Sequence, residues 1–311
     1  MRMKKFIAVL SMVSMLAVAA TGCGSDKKAE GDSADAGTDT KTEQNDASWD
    51  SSNDITIVSR EDGSGTRGAF IELFGIEEKN GDEKIDMTTE EAQITNSTSV
   101  MMTTVAGDEY AIGYISLGSL DDSVKALKID GAEATAENVK SGTYKVSRPF
   151  NIATKEDLDN EVAKDFINFI MSEEGQAVVE ENHYIAVDDV KPFEGTNPSG
   201  KAVVGGSSSI SPVMEKLIEA YKAVNANAEI ELQTTDSTTG MTSAVDGSYD
   251  IGMASRELKD TELSEGLQAT VIATDGIAVI VNKNSTIDDL SSEQVKAIYT
   301  GEAITWDEVV E

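Results

Sequence analysis

The stretch VSREDGSGTRGAF, residues 58–70, combines the end of an apolar strand, a turn rich in glycine and hydroxyl residues, and the start of a helix. Ser64, Gly65 and Thr66 lie at the centre of this turn, and an arginine stands on each side of it. Glycine lets the backbone approach a ligand, hydroxyls donate hydrogen bonds, and the free amides of a first helical turn attract anions. The pattern predicts a strand–turn–helix unit and favours an anion-binding loop.

Two later segments repeat this arrangement. GGSSS at 205–209 precedes Pro212, which opens a predicted helix, and DSTTG at 236–240 precedes a shorter one. Proline is well suited to the first turn of a helix. Helix capping explains any one of these loops equally well, because Ser and Thr are ordinary N-caps. The three loops together predict a pocket for a small oxyanion.

Arginine is scarce after Arg2, since only four more occur, at Arg60, Arg67, Arg148 and Arg256. The tripeptide Ser-Arg-Glu occurs twice, at 59–61 and at 255–257, each time after an apolar strand. The planar guanidinium group recognises oxyanions with two parallel hydrogen bonds, which lysine cannot do. Arginines placed at strand ends therefore favour anion recognition over a general surface role.

Short β-branched segments alternate with amphipathic ones, which predicts an α/β fold. The strand candidates are 55–58, 111–115, 229–232, 250–253 and 276–281. Apolar residues at four-residue steps predict one long helix over 157–179. The segment 188–200, rich in Pro, Gly, Asn and Ser, is interpreted as a linker between two blocks.

The first residues are typical of an exported protein. Basic residues before an apolar run at 6–20 predict a secretory signal peptide at 1–22, and the run is too short to span a membrane comfortably. Thr-Gly-Cys at 21–23 resembles a bacterial lipobox with Cys23 as the lipidated residue, and residues 23–53 are predicted to be a flexible tether. These features predict a protein anchored by lipid to the extracellular face of the cell membrane.

Composition excludes several classes of function. The formal net charge of −32 argues against nucleic acid or anionic lipid as a ligand, whereas an anion pocket depends on local donors. His183 is the only histidine and has no serine motif near it, and no nucleophile elbow or phosphate-binding lysine loop occurs. Cys23 is the only cysteine, which excludes an intramolecular disulfide. We therefore predict a protein that is not an enzyme and that has no cofactor and no metal site.

Four segments together resemble PstS-type phosphate-binding proteins, the solute-binding component of phosphate ABC importers. They are VSREDGSGTRGAF, GGSSSISP, YDIGMASRELKD and DGIAVIVNKNS, and the resemblance extends over residues 55–311. It implies an α/β two-lobed periplasmic-binding-protein fold, type II-like, with two hinge crossovers. It also implies inorganic phosphate as the ligand and ABC permease subunits as partners.

The order of these motifs differs from that of the family. The Gly-Ser-Thr-Ser loop comes first there, whereas this chain begins its folded part with the Arg60 loop and ends with Ile-Thr-Trp at 304–306. The sequence thus resembles a circular permutant. The resemblance implies a split lobe A at 54–148 plus 278–311 and a continuous lobe B at 149–277. The linker 188–200 would lie within lobe B, and the crossovers at 148–150 and 276–281.

The resemblance also implies a set of site residues. The ligand-binding residues would be Arg60, Ser64, Gly65, Thr66, Ser208, Ser209, the Ile210 amide, Ser237, Ser255 and Arg256. Asp62 would orient Arg60, and Arg67 would support the same loop. Arg256 departs from the best-known branch of the family, where an aspartate accepts the phosphate proton, since arginine has no acceptor atom. The choice between phosphate and sulfate would then depend on another acceptor, such as Asp62, or stays unresolved.

Other functions remain open at this point. The same fold could bind another oxyanion, such as sulfate, molybdate or tungstate. A surface sensor or adhesin could keep the binding fold without transport, because coupling to a permease has no readable motif.

Overall fold

The computed structural model describes residues 49–81 and 83–309. The predicted signal peptide at 1–22, Cys23 and most of the predicted tether lie outside the described residues. No helix in the described ranges is both long enough and apolar enough to cross a bilayer.

Strands and helices alternate along the described chain. The strands are β1 (Thr56–Arg60), β2 (Glu77–Asn80), β3 (Glu83–Asp86), β4 (Gln93–Thr95), β5 (Ala111–Ser116), β6 (Lys125–Ala126), β7 (Lys128–Ile129), β8 (Ser147–Lys155), β9 (Gly200–Ser207), β10 (Ala228–Thr235), β11 (Ile251–Ala254), β12 (Leu267–Val281) and β13 (Asp289–Leu290). The helices are α1 (Gly65–Leu73), α2 (Thr98–Gly107), α3 (Ala136–Ser141), α4 (Glu161–Ile170), α5 (Glu173–Glu181), α6 (Ser211–Val224), α7 (Ser237–Asp246), α8 (Asp260–Ser264) and α9 (Ser292–Thr300). Short 3₁₀ turns occur at Leu117–Ser119 and Trp306–Glu308. The α/β class predicted from the alternation is confirmed.

The principal sheet has the strand order β10-β9-β11-β8-β12-β5-β1-β4, with β6 also paired to β12. Strands β9, β10 and β11 are parallel on one side, and β1, β4 and β5 are parallel on the other. The antiparallel pair β8 and β12 lies between them. Residues 267–276 of β12 pair with β8, whereas residues 277–281 pair with β5. Two strands therefore connect the two halves of the sheet.

The apolar core is divided in the same way. One cluster, here called core A, draws on buried residues at 55–146 and 277–309. Two further clusters, here called core B, draw on residues at 150–273. Each core fills the space between its half of the sheet and the adjoining helices, so the hydrophobic effect stabilises each half separately.

The segment 49–53 corrects the predicted tether boundary. Trp49 donates its indole N–H to the Glu109 carbonyl at 3.2 Å, and its ring lies 5.8 Å from that of Trp306. The Asp307 amide donates to the Ser51 carbonyl at 2.7 Å. The predicted tether therefore extends too far, because residues 49–53 are bound to the folded domain beside its last segment.

The predicted helix at 157–179 is also wrong, because α4 and α5 are separate helices. Ser172 lies between them and caps α5 by accepting a hydrogen bond from the Gly175 amide at 3.2 Å. A Cβ atom on Gly175 would lie only 2.0 Å from the Phe169 carbonyl oxygen, so the tight turn requires glycine. The apolar four-residue spacing ends at Ile170, and the polar run Ser-Glu-Glu-Gly-Gln at 172–176 coincides with the break.

The segment 188–200 has little regular structure, apart from a bridge between Lys191 and Ser172. Its Thr196 amide donates to the buried Asp165 carboxylate at 2.7 Å, and Phe193 packs edge-on against Phe169. The predicted linker is thus held against core B.

Candidate anion-binding site

The carboxyl ends of several strands lead directly into helix N-termini. β1 is followed by α1, β4 by α2, β9 by α6 and β10 by α7. Buried polar residues gather at these ends and at the neighbouring ends of β8 and β11: Arg60, Ser64, Thr66, Thr98, Arg148, Ser207, Ser208, Ser209, Ser237 and Ser255. The positive end of each helix macrodipole faces the same region, which favours an anion there.

Except for Ser64, whose Oγ caps α1 by accepting from the Arg67 amide at 3.3 Å, the hydroxyl residues of this set form one connected group. This group is here called the hydroxyl cluster: Thr66, Thr98, Ser207, Ser208, Ser209, Ser237 and Ser255. Thr66 Oγ1 lies 2.8 Å from Ser209 Oγ, and Thr98 Oγ1 lies 3.3 Å from the same atom. Ser207 Oγ donates to Ser255 Oγ at 3.0 Å. Residues attached to core A and core B thus contact each other through hydroxyl groups, which can both donate and accept.

Ser237 enters the cluster through the backbone of Ser255. Its Oγ accepts a hydrogen bond from the Ser255 amide at 3.1 Å, and both side chains are fully buried. A Cβ atom on Gly65 would lie 2.4 Å from Ser237 Oγ and 2.9 Å from Ser255 Oγ. The close approach of α1 to these two serines therefore requires glycine at position 65.

Arg60 ends β1 and is almost completely buried, with 2% of its surface exposed. Its Nε and Nη2 donate to the two carboxylate oxygens of Glu61 at 2.8 Å, and Nη2 also donates to Ser208 Oγ at 3.1 Å. Nη1 is buried and has no hydrogen-bond partner in the structure. A buried guanidinium N–H without a partner is costly, so this atom marks a position for an acceptor.

Tyr114 holds the backbone of Arg60. Its hydroxyl accepts a hydrogen bond from the Arg60 amide at 3.2 Å and lies 2.9 Å from Ser59 Oγ. The ring of Tyr114 stacks on Phe70 of α1 with centroids 3.9 Å apart. Burial raises the pKa of Tyr114 to about 12, so the phenol is neutral at neutral pH. The strand, the helix and the arginine are thereby fixed to one another.

Arg148 is a second buried arginine of the region. Its Nη2 donates to Thr66 Oγ1 at 3.1 Å and lies 3.3 Å from Asp275 Oδ2, while its Nε and Nη1 have no hydrogen-bond partner. The guanidinium carbon lies 5.3 Å from the centre of the Phe150 ring, a cation–π arrangement. Burial lowers the pKa of Arg148, and the Asp275 carboxylate opposes this shift. Two guanidinium groups thus lie beside the hydroxyl cluster, and three of their nitrogens lack hydrogen-bond partners.

Comparison with known proteins places the chain in a family. A model of the PBP superfamily domain matches residues 6–174 and 192–310. Phosphate-binding protein PstS 2 of Streptococcus agalactiae serotype V is 61% identical over 266 residues, which are 85% of this chain and 91% of that protein. The chain belongs to the PstS family.

Two further PstS-family comparisons agree. Phosphate-binding protein PstS 2 of Streptococcus pneumoniae serotype 4 is 45% identical over 256 residues, 82% of this chain and 87% of that protein. The crystal structure of a phosphate-binding protein of a phosphate ABC transporter from Streptococcus pneumoniae TIGR4 matches with a TM-score of 0.66. That match has 44% sequence identity and covers 83% of this chain and 100% of that structure. The predicted periplasmic-binding-protein fold is confirmed.

Glu61, not Asp62, orients Arg60 in this member of the PstS family. The Asp62 side chain is 99% exposed and pairs instead with Arg67 Nη1 at 2.9 Å. Arg67 Nη1 also donates to the Arg60 carbonyl at 2.7 Å, and its Nε donates to Asp86 at 2.8 Å. The predicted role of Asp62 is therefore wrong, because the side chain at the outer side of the turn points to water. Arg67 therefore contacts the backbone and a side chain of the loop that carries Arg60.

Arg256 does not join the hydroxyl cluster. Its two terminal nitrogens donate to the carboxylate oxygens of Glu262 at 2.8 and 2.9 Å, and Nη1 also donates to the Glu257 carbonyl at 2.9 Å. Burial raises the pKa of Glu262, but hydrogen bonds from Arg256 and the Lys259 amide outweigh it and the pKa is lowered overall. The Glu262 carboxylate of α8 thus pairs with both terminal nitrogens of Arg256, which leaves neither of them without a partner for the anion contact that the sequence predicts.

The Ile210 amide is engaged as well. It donates to the Ser207 carbonyl at 3.1 Å, which closes the turn before α6. The neighbouring Ser209 amide donates to Ser207 Oγ at 3.3 Å. Ile210 is fully buried in core B, so it anchors the loop rather than presenting a free donor.

Sequence reasoning missed three residues of the region. Thr98 begins α2 within the run Ser-Thr-Ser at 97–99, which has the same hydroxyl-rich character as the three recognised loops. Arg148 was assigned only to a crossover, although the scarcity of arginine could have indicated it. Glu61 lies next to Arg60, yet nothing in the sequence distinguishes it from Asp62.

Among the described residues, no group of three or more His, Cys, Asp or Glu side chains is arranged to hold a metal ion.

Proposed function

We propose that this protein binds inorganic phosphate between core A and core B and acts as the solute-binding component of an ABC importer. One observation carries the proposal: three buried guanidinium nitrogens, one on Arg60 and two on Arg148, lack hydrogen-bond partners beside the hydroxyl cluster. Charge-assisted hydrogen bonds from arginine to oxyanions are among the strongest polar contacts in proteins. A small dianion would satisfy these donors.

The chemistry of the region suits a compact tetrahedral anion. Hydroxyl groups of the cluster contact both arginines, Ser208 on Arg60 and Thr66 on Arg148. A planar carboxylate would pair with the parallel N–H groups of a single guanidinium. The four oxygens of a tetrahedral anion can instead accept hydrogen bonds from donors on every side. The net charge of −32 does not oppose this ligand, because the local field of the helix ends and arginines is positive.

The relatives support phosphate among the oxyanions. The streptococcal proteins that cover most of this chain are named phosphate-binding proteins, and the matching crystal structure is of a phosphate-binding protein of a phosphate ABC transporter. We infer binding without chemical conversion of the anion. His183, the only histidine, is an exposed residue that follows α5 with a φ of 67°.

We further propose that cores A and B belong to two lobes that close on the ligand, with β8 and β12 as the hinge crossovers. The motif order supports a circular permutation joined through 188–200. Phosphate-binding protein PstS of Staphylococcus aureus strain USA300 is 36% identical over only 117 residues, 35% of this chain and 36% of that protein. An alignment that keeps segment order can match two permuted chains only up to the position where their orders diverge. Such an alignment would give a partial match of this kind.

Attachment to the membrane is part of the proposal. The basic start, the apolar run and Cys23 support export and lipidation, which would hold the protein at the extracellular face of the cell membrane near its permease subunits. A tethered binding protein stays at a high effective concentration near its transporter. Mass spectrometry of the mature protein tests this directly, since a diacylglyceryl group should be found on Cys23.

Titration calorimetry tests the binding function. Protein spanning 24–311 is unfolded, dialysed free of anions, refolded, and titrated with phosphate, sulfate, molybdate and tungstate. We expect one phosphate per chain, bound much more tightly than the other three anions. Tighter binding of another oxyanion would reassign the ligand, and failure of all four to bind would overturn the proposed function.

A further inference from the structure

The loop between β1 and α1 contacts helix α7 through one threonine at the rim of the hydroxyl cluster. Thr238 lies in the first turn of α7, whose buried residues Met241 and Ala244 belong to core B. Its backbone amide donates to the Gly63 carbonyl at 3.1 Å, and its Oγ1 donates to the same oxygen at 3.2 Å. Gly63 lies between β1 and α1, which both contribute to core A. Two donors of one residue thus bind one carbonyl across the two cores.

The loop and the helix fit closely at this contact. A Cβ atom on Gly63 would lie 2.3 Å from Asp236 Oδ1. Asp236 is the N-cap of α7 and accepts a hydrogen bond from the Thr239 amide at 2.9 Å, so its carboxylate is held in place. Glycine at position 63 therefore lets the loop reach Thr238, and a larger residue would push the loop away from the helix.

The donors of Thr238 bind the protein itself. Amides in the first turn of a helix often bind anions, but the Thr238 amide already has the Gly63 carbonyl as its acceptor. Arg256 Nη2 donates to Thr238 Oγ1 at 3.5 Å, which leaves the hydroxyl proton directed at Gly63. Thr238 is half-buried, whereas Ser237 beside it is fully buried within the hydroxyl cluster. Thr238 is therefore placed to act on the loop rather than on an anion.

We propose that Thr238 is a positioning residue: it holds the loop that carries Arg60 and Thr66 against α7 and thereby slows the release of bound phosphate. This role rests on the proposed function. A contact that forms only when core A and core B come together stabilises the closed arrangement and adds nothing to the open one. Phosphate leaves through the open arrangement, so the contact lowers the dissociation rate constant. The association rate constant depends on the open arrangement and is not affected.

The loop can transmit this contact to the donors of the site because its two ends are tied together. The Ser64 amide donates to the Glu61 carbonyl at 2.9 Å, which closes a tight turn around Gly63. Arg67 Nη1 donates to the Arg60 carbonyl at 2.7 Å. A displacement of Gly63 would therefore move the β1 end and the α1 end of the loop together.

The test measures phosphate release by stopped-flow fluorescence from protein spanning 24–311 that carries Ser99→Cys. Ser99 is exposed beside Thr98, and 24–311 contains no other cysteine, so a single dye can report binding. The phosphate complex is mixed with an excess of unlabelled native protein, which traps the released anion. Thr238→Val removes the hydroxyl and keeps the shape and the amide. We expect the dissociation rate constant to rise about fivefold and the association rate constant to stay within about twofold.

Three further variants separate the hydroxyl from other causes. Thr239→Val removes the hydroxyl of the next residue, which donates to Asp236 within the same helix cap at 2.5 Å, and should leave both rate constants unchanged. Thr238→Ser keeps the hydroxyl and should release phosphate as slowly as the native residue does. Gly63→Ala would meet Asp236 from the other side of the contact, so it should speed release at least as much as Thr238→Val.

Each outcome separates the positioning role from the binding function. Equal release rates in Thr238→Val and Thr239→Val, with phosphate still bound by the native protein, would overturn the role and leave the proposed function intact. Weaker binding that comes from slower association alone would also overturn it, because a contact of the closed arrangement acts on release. If Thr238→Val does not fold, native-like release from Gly63→Ala would overturn the role. Failure of the native protein to bind phosphate would overturn the proposed function and, with it, the role of Thr238.

Discussion

Two copies of the tripeptide Ser-Arg-Glu, at 59–61 and 255–257, lie at the ends of β1 and β11 in opposite halves of the sheet and place their arginines in different environments. Arg60 binds the adjacent Glu61 through Nε and Nη2 and leaves Nη1 unpartnered. Arg256 turns away from its own Glu257 side chain and binds Glu262 of α8 with both terminal nitrogens. The same three residues thus produce a free donor at one site and a fully occupied ion pair at the other.

The difference lies in which carboxylate each arginine meets. A neighbour at the next position can reach one side of the guanidinium group, and the far nitrogen remains available for a ligand. A carboxylate from a separate helix approaches end-on and occupies both terminal nitrogens. Arginine identity and strand-end position therefore do not decide ligand binding, whereas the unoccupied edge of the guanidinium group does.

The largest expected effect is on phosphate affinity, and it should differ between substitutions of Arg60 and of Arg256. Arg60→Lys should weaken phosphate binding by about a hundredfold or more, because an ammonium group cannot bind Glu61 at two points and also reach the anion. Arg256→Lys should change the dissociation constant by less than about threefold, since its partner is Glu262. Calorimetry on both variants, with circular dichroism to verify folding, measures the contrast.

The comparison fails if the two substitutions weaken binding equally, because Arg256 would then contact the ligand after all. An unchanged affinity in Arg60→Lys would remove Arg60 from the site.

The second prediction concerns Gly65, which lies where the loop after the first tripeptide packs against Arg256 of the second. A Cβ on Gly65 would lie 2.4 Å from Ser237 Oγ and 3.1 Å from Arg256 Cγ, so Gly65→Ala must push the loops apart. We expect phosphate affinity to fall by roughly tenfold, since overpacking of this kind costs about 1–3 kcal/mol. Equilibrium titration of phosphate measures the change.

Gly68→Ala is the matched control in the same helix. The nearest atom to its added Cβ would be Arg256 Cδ at 4.0 Å, an ordinary contact. Alanine favours the helix by about 1 kcal/mol, so this variant should be slightly more stable and bind phosphate normally. A similar loss of affinity in both variants would mean that helix α1 tolerates no change and that the space beside Gly65 is not the cause.

The sequence predicts most of the fold because its signals are local. The apolar β-branched segments at 111–115 and 276–281 lie within β5 and β12, and Pro212 stands in the first turn of α6. The break between α4 and α5 coincides with the end of the apolar spacing at Ile170 and with the polar run 172–176, so the one long helix predicted over 157–179 overlooks a signal that the sequence carries. Attachment of 49–53 to the folded domain depends on a ring contact between Trp49 and Trp306, which are far apart in sequence.

The site is less predictable than the fold. Hydroxyl-rich loops before helices identify Thr66, Ser209 and Ser237, since backbone geometry at a strand end is repeated from loop to loop. Side-chain partners over long sequence separations are not encoded locally, as the pairing of Arg148 with Asp275 shows. Arg60 could bind either of two adjacent acids, Glu61 or Asp62. The choice depends on the direction in which the turn points each side chain, and the residue types do not reveal that direction.

The smallest expected effect concerns stability alone and sharpens the difference between the two tripeptides. Glu262→Gln removes the ion pair of Arg256, and we expect the free energy of unfolding to fall by about 1–2 kcal/mol at neutral pH. The pKa of Glu262 is lowered in the folded protein, so its contribution is present above the unfolded value of 4.5 and is lost as the pH falls through the folded value. Urea unfolding at several pH values should therefore show that the difference between the native protein and the variant shrinks as the pH falls below 4.5. Phosphate affinity should stay within about twofold of the native value, because an ion pair that only holds Arg256 away from the hydroxyl cluster has no contact with the ligand; a large loss of affinity would show that the two arginines act together.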